Sequence, residues 1–235
     1  IGNIEDNLSV IKDCDLVVEA VIEKMDIKQA LFKKMEKFLG PNTIIASNTS
    51  GLSIETMLTG LSTQFCERFM LLHFFNPVRY LHLLEIVPSK HTNKKFVDAM
   101  VRFGEERLGK GVVLGKDTVN FVANRIGVYG MMEAMDAVLN HGYTVEEVDA
   151  IFGPPLGRPK SAVFRTADMV GLDTVIDVAQ NCYDNLPNDE ARETFTVPEL
   201  LREMVKRGLR GEKSGAGFYK KTPEGILSLD LKTLE

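Results

Sequence analysis

Residues 15–51 read DLVVEAVIEKMDIKQALFKKMEKFLGPNTIIASNTSG, and the change of period inside this stretch sets the fold class. Residues 15–22 (DLVVEAVI) form an apolar, β-branched run of buried-strand length. From Asp26, a candidate N-cap, apolar side chains at Ile27, Ala30, Leu31, Met35 and Phe38 follow the 3.6-residue helical repeat, with lysines between them. Gly40-Pro41-Asn42 stops that helix, and residues 43–47 (TIIAS) are a second short strand running into the turn-rich Asn48-Thr49-Ser50-Gly51. Strands alternating with helices in this way predict an α/β layer with a mainly parallel sheet.

The alternation continues outward. Ser53 opens a short helix (SIETMLTGL), residues 69–75 and 81–87 are further apolar runs separated by Asn76-Pro77, and Phe96, Met100, Phe103 and Leu108 predict a helix over 94–108. Gly109 and Gly111 close that helix ahead of Val112-Val113-Leu114, and the α/β portion is assigned to residues 1–116. Beyond Asp117 no convincing strand is legible. Helical patterns cover 118–139, 144–152, 161–184 and 198–208, so residues 117–235 are expected to form an all-α domain. Residues 153–159 (GPPLGRP) are turn chemistry between two of these helices, and 211–219 (GEKSGAGFY) is a glycine-rich stretch near the end.

Composition narrows the function classes. The 235 residues suit one large or two modest domains, at roughly 150 residues per domain. A net charge of −5 supplies no basic field for phosphate backbones, which argues against a nucleic-acid partner. The longest apolar stretches, such as 69–75 with His73 inside it, fall far short of the ~20 residues of a membrane span, so no span is expected. Cys14, Cys66 and Cys182 are odd in number and hold no C-x-x-C pair, which suggests neither a disulfide framework nor a metal site and makes a reducing, cytoplasmic setting the default. The chain opens at Ile1 without a charged-then-apolar leader and reads as a fragment.

Some polar residues sit where the pattern asks for apolar ones. His73 ends an apolar strand beside the Asn76-Pro77 turn, and strand ends are where ligands bind in an open α/β sheet; alone, it reads as easily as a core histidine bonded to backbone. Glu85 changes the weighing. It lies within Leu83-Leu84-Glu85-Ile86-Val87, where an unpaired charge costs several kcal/mol, and His73 is the nearest candidate partner, one strand away. A carboxylate on one imidazole nitrogen fixes the tautomer and leaves the other nitrogen to exchange a proton with a substrate. Asn124 presents an amide on an apolar helix stripe, sharing a face with Asn120, Val128, Met131 and Met135, and by itself reads more readily as a packed structural amide. Ser50 alone is an ordinary capping serine with no Gly-x-Ser-x-Gly elbow around it. Glu23 and Lys28, near the start of the first helix, are either solvated charges or face a ligand over the strand ends, and Lys213 before Ser214-Gly215-Ala216-Gly217 is a weak candidate for contacting phosphate or carboxylate.

Taken together, residues 18–23 (VEAVIE), 46–50 (ASNTS) and 73–77 (HFFNP), with Glu85 twelve positions after His73, resemble the L-3-hydroxyacyl-CoA dehydrogenase family. Lys116-Asp117-Thr118 followed by Asn124-Arg125, and residues 213–219 (KSGAGFY), extend the resemblance in family order over nearly the whole chain. It implies an NAD-binding Rossmann-type domain and then a helical domain that closes over an acyl-CoA and mediates homodimerisation. His73 is implied as the general base for oxidation of a 3-hydroxyacyl-CoA in β-oxidation, Glu85 as the group that orients it, and Ser50 and Asn124 as contacts to the substrate oxygen, with Asn76 beside the substrate. Ala20, Glu23, Lys28, Asn48 and Lys213 are implied in holding NAD, and no metal is implied.

The departure from the family lies at the start. A G-x-G-x-x-G turn after a first strand, with an acidic ribose ligand beyond it, has no counterpart here, so the chain is expected to lack its first β-α-β unit and to bind NAD poorly as it stands. Residues 79–88 together with 157–161 (GRPKS) look more like bacterial or archaeal forms fused to an enoyl-CoA hydratase than like the stand-alone mitochondrial enzyme. Two other readings compete. A relative acting on a free acid would use a lysine where this chain has His73 and Glu85, and a non-catalytic protein or assembly domain of the same fold has no need of His73, Glu85, Ser50 and Asn124 together.

Overall fold

A computed structural model describes residues 1–234, which divide into two compact units, residues 1–122 and the residues from Ala123 onward. The first unit is built on a five-stranded sheet: β1 (Leu16–Glu19), β2 (Ile44–Ser47), β3 (Phe69–Phe74), β4 (Leu83–Pro88) and β5 (Gly111–Leu114), lying side by side in that order. The β1–β2, β2–β3 and β4–β5 pairs are parallel, and β4 runs antiparallel to β3. Both faces are covered, which is why β2 and β3 read as near-continuous apolar runs. Ile45, Phe69, Leu71 and Val87 pack on one side with Phe32, Ile54, Met57 and Phe65, from α2 (Met25–Met35), α3 (Ile54–Met57) and α4 (Thr63–Cys66). Ile44, Ala46, Met70, Leu72, Leu84 and Ile86 alternate onto the other, against Phe96, Val97 and Met100 of α5 (Lys94–Arg102).

The element ends differ from the pattern for local reasons. The first strand stops at Glu19 rather than running to residue 22, because the Glu19 carboxylate accepts from the Val21 amide at 2.6 Å and turns the chain out of the sheet. α2 starts one residue before Asp26, capped by Lys24 without a side-chain bond, so Asp26 instead places its charge in the first turn against the positive helix end. Beyond α5 the helix loosens into a π-turn over Phe103–Arg107. The four-residue helices α1 (Ile4–Asn7) and α4 are too short to show a period, and the pattern missed both.

The second unit holds α6 (Ala123–His141), α7 (Val145–Ile151), α8 (Phe164–Val170), α9 (Leu172–Asn185) and α10 (Glu199–Lys206). They enclose Val128, Met135, Phe164, Leu172, Val175, Phe195, Met204 and Phe218. It is the helical domain expected, with three corrections. The helix predicted from residue 118 begins only at Ala123, because Asn120 (φ 58°) and Phe121 (φ 50°) are left-handed and cannot belong to a right-handed helix; Asn120 therefore shares no helix face with Asn124. The helix predicted over 161–184 is two helices broken at Gly171, whose φ of 97° no other residue type adopts comfortably. Finally, β6 (Tyr219–Thr222) and β7 (Gly225–Ser228) form an antiparallel hairpin that Lys220 and Lys221 had hidden from any apolar pattern.

Among the described residues no helix is long and apolar enough to cross a membrane, and no group of three or more His, Cys, Asp or Glu is placed to hold a metal ion.

Candidate active site

The antiparallel register of β3 on β4 sets His73 directly opposite Glu85. Residues so paired present their side chains on the same face, and His73 Nδ1 lies 2.6 Å from Glu85 Oε2 with both residues buried. The remaining carboxylate oxygen accepts from the Val122 amide at 3.0 Å. An ionised carboxylate only accepts hydrogen bonds, so in the neutral imidazole Nδ1 carries the hydrogen and Nε2 presents its lone pair. Two aromatic rings flank the imidazole edge-on, Phe75 at 4.4 Å and Phe121 at 5.6 Å between centroids.

Asn48, just past the end of β2, ties three strand ends together. Its amide donates to the Glu19 carbonyl at 2.9 Å, and its Oδ1 accepts from the Phe74 amide at 2.9 Å. Ser50 follows two residues later, half-buried, on the same C-terminal edge of the sheet. The segment after it is anchored by Asp117, whose carboxylate accepts from the Ile54 amide at 3.1 Å and so caps α3; burial pushes that carboxyl above its ordinary range. Asn76 is exposed on the turn that follows β3.

A second polar cluster fills the mouth between β1 and β2. Glu19, at the end of β1, accepts from Lys28 Nζ at 2.8 and 2.9 Å and from Ser47 Oγ at 2.5 Å. Lys28 also reaches Glu23 at 3.3 Å, and Thr49 donates to the other Glu23 oxygen. Lys28 is 1% exposed whereas the Glu23 side chain is 46% exposed, so the lysine is a buried counter-charge and the glutamate is the half that faces outward. Ala20, also exposed, adds no bulk beside it.

In the second unit, Asn124 is half-buried in the first turn of α6, next to Arg125, which pairs with Asp189. Lys213 pairs with Asp173 at the start of α9. The turn that carries Lys213 is fixed from below by Asp168, a buried carboxylate accepting from the Phe218 and Tyr219 amides at 2.9 and 2.8 Å. Tyr219 Oη in turn donates to Asp149 at 2.9 Å.

The residue pattern brought forward His73 and Glu85, the family resemblance added Ser50 and Asn48, and neither singled out Glu19, Asp117, Phe121 or Asp168 as a site residue. Glu19 carried the same signal as Glu85, a carboxylate in an apolar strand run. Asp168 could have been found as a charge on the buried stripe of its helix. Phe121 gave none, since its role depends on a backbone conformation that its sequence does not advertise.

The C-terminal edge of β1 and β2 offers an exposed small residue at Ala20 and an oriented, half-exposed carboxylate acceptor at Glu23. This fits the hydroxyl-bearing part of a dinucleotide, while a glycine-rich turn for its pyrophosphate is not among these residues.

Comparison with known proteins agrees with this architecture. Residues 1–118 match the family described as 3-hydroxyacyl-CoA dehydrogenase, NAD binding domain, and residues 121–221 match 3-hydroxyacyl-CoA dehydrogenase, C-terminal domain. A probable 3-hydroxyacyl-CoA dehydrogenase of Bacillus subtilis is 47% identical over 233 residues, covering 99% of this chain and 29% of that protein. One of Deinococcus radiodurans is 48% identical over 224 residues, covering 95% of this chain and 64% of that protein. The chain thus spans less than two thirds of the length of either relative. The crystal structure of FadB2 from M. tuberculosis superposes with a TM-score of 0.82 at 33% identity, covering 92% of this chain and 73% of that one. With both domains matched in order and the His73–Glu85 pair set across adjacent strands of the first, the chain belongs to the 3-hydroxyacyl-CoA dehydrogenase family.

Proposed function

We propose that this chain is the dehydrogenase portion of an enzyme that reversibly oxidises L-3-hydroxyacyl-CoA to 3-ketoacyl-CoA in fatty-acid β-oxidation, with NAD as its cofactor. The observation that carries the reading is the buried His73–Glu85 pair at 2.6 Å near the C-terminal end of β3, the kind of strand end at which open α/β sheets bind ligands. Oxidising a secondary alcohol removes a hydride from carbon and a proton from oxygen. NAD, when bound, supplies the hydride acceptor. The chain's own task is the proton: His73 Nε2 takes it from the C3 hydroxyl, and the Glu85 carboxylate stabilises the imidazolium through Nδ1–H. In the reverse direction the same nitrogen returns the proton to the developing alkoxide. A positioned base of this kind contributes roughly 10²–10⁴-fold.

Ser50 and Asn124 are assigned as donors to the substrate oxygen, and Asn76 as a substrate neighbour. Ala20, Glu23 and Asn48 are assigned to the cofactor edge. The burial of Lys28 makes its part indirect, through the placement of Glu23. Lys213 is assigned to the cofactor with its turn held by Asp173 and Asp168. A homodimer formed through the helical domain, and association with an enoyl-CoA hydratase that would generate the 3-hydroxyl group, belong to the same proposal.

The test is 3-ketoacyl-CoA-dependent oxidation of NADH by the full-length protein, with His73→Gln and Glu85→Gln beside it. Wild-type turnover with a loss of about 10²-fold or more in each variant is expected. Turnover within a few-fold of wild type in both variants would remove the assignment.

A further inference from the structure

Residues 120–122 lie between β5 and α6 and touch both members of the buried pair. The ring of Phe121, 4% exposed, meets the His73 imidazole edge-on at 5.6 Å, and the Val122 amide donates to Glu85 Oε1 at 3.0 Å. The backbone that brings them there is strained. Asn120 and Phe121 are consecutive left-handed residues, at φ 58° and 50°. Asn tolerates that region better than most side chains, but an aromatic residue there is a genuine outlier. Such a conformation persists only where its surroundings over-determine it. Here Asn120 is 2% exposed, Phe121 is packed into the core with Phe69 and Leu71, and Glu85 holds the next amide.

A single hydrogen bond from Nδ1 to Glu85 does not fix an imidazole. The second side-chain torsion of histidine is broad and soft, so the ring can pivot about that bond and swing Nε2 away from a substrate hydroxyl. Walls on the ring remove this freedom and keep water off it.

We propose that residues 120–122 are a positioning element for the acid–base pair, with Phe121 as the residue that fixes the plane of the His73 ring. The proposal rests on the reading of His73 as the proton-transfer group. Its consequence is that the strained connection into α6 and the geometry of the pair stand or fall together, since one carboxylate serves both. A displacement of about 1 Å at a reacting group costs up to roughly a hundredfold in rate, and Phe121→Ala is expected to lower kcat within that range while the KM for NADH moves no more than about twofold.

The experiment compares wild type, Phe121→Ala and Phe121→Leu as full-length proteins. It combines steady-state kinetics, thermal melting and ring-nitrogen NMR of histidine, with the His73 signals assigned by their loss in His73→Gln. Wild type is expected to show His73 as a single Nδ1–H tautomer. In Phe121→Ala the tautomers average and kcat falls, and Phe121→Leu, which keeps apolar volume against the ring, recovers kcat to within a few-fold. Should Phe121→Ala fail to fold, Asn120→Val, a β-branched residue forced to positive φ, is expected to give the same loss of kcat and the same averaging. A lowered melting temperature with His73 signals and kcat unchanged would overturn the proposal. If wild type turns over no 3-ketoacyl-CoA, the dehydrogenase reading fails, and the His73 signals alone decide whether Phe121 positions the ring.

Discussion

Lys28 lies on a helix face where a leucine would pack, and it is 1% exposed. A buried ammonium is tolerable there because two carboxylates, Glu19 and Glu23, and no bulk water, surround it at 2.8–3.3 Å. The same cluster joins the loop after β1 to the turn after β2 through Ser47 and Thr49. Removing one partner of a buried ion pair is far more damaging than the pair's net worth, since it strands the other charge, typically at about 3–5 kcal/mol. Lys28→Met is therefore expected to destabilise the first unit by about that amount in urea unfolding at neutral pH, and Lys28→Met with Glu19→Gln to recover part of it. A neutral Lys28→Met would mean the lysine is placed for a ligand rather than for the fold. Glu85 follows the same rule with different partners: an imidazole and a backbone amide satisfy it, which is how a carboxylate survives at 0% exposure within an apolar strand.

At the scale of elements, α8 and the glycine-rich turn before β6 depend on one carboxylate. A Cβ on Gly217 would run into the Asp168 carboxylate, so the turn is seated against it as closely as backbone permits. Burial pushes the Asp168 carboxyl up from 3.8 to about 6, against the opposing pull of its two amide donors. Between those two values the folded chain holds a proton on Asp168 that the unfolded chain has lost, so the contribution of this group to stability is full below pH 3.8 and is lost as pH rises through about 6. The contribution amounts to roughly 3 kcal/mol at 1.36 kcal/mol per pKa unit. Melting of Asp168→Asn is expected to lose the part of the pH 4–7 slope that wild type shows in the second unit, and an unaltered slope would mean Asp168 does not titrate there. The legibility of these elements follows from where their information resides. β2, β3 and β4 are covered on both faces and announced themselves as apolar runs; His73 and Glu85 stood out against that background and proved to be partners. The break at Gly171, the left-handed pair at 120–121 and the Lys-rich hairpin of β6 and β7 are set by tertiary contacts, which an apolar period does not record.

Across the whole molecule, each unit closes its own core. Phe69 is fully buried beside Phe32 and Phe65, at 5.3 and 6.0 Å between rings, while Phe164 is buried against Phe218 at 4.6 Å in the other unit. Phe69 belongs to the clusters of the sheet and Phe164 to the cluster of the helices. Two separate cores of this size are the physical definition of two domains, each able to unfold as a cooperative unit. Truncating a buried phenylalanine costs about 3–5 kcal/mol, through lost transfer energy and the cavity left behind. Phe69→Ala is expected to lower one calorimetric transition and leave the other within a degree or two, and Phe164→Ala to do the reverse, since a shift of several degrees follows from a few kcal/mol in a domain of this size. In the full-length protein NADH should then raise the transition that Phe69→Ala lowers, because a ligand stabilises the unit that binds it. If both substitutions lower a single transition equally, the units melt as one body, and the division of labour between a cofactor domain and a helical domain would have to be carried by local opening within a single cooperative fold.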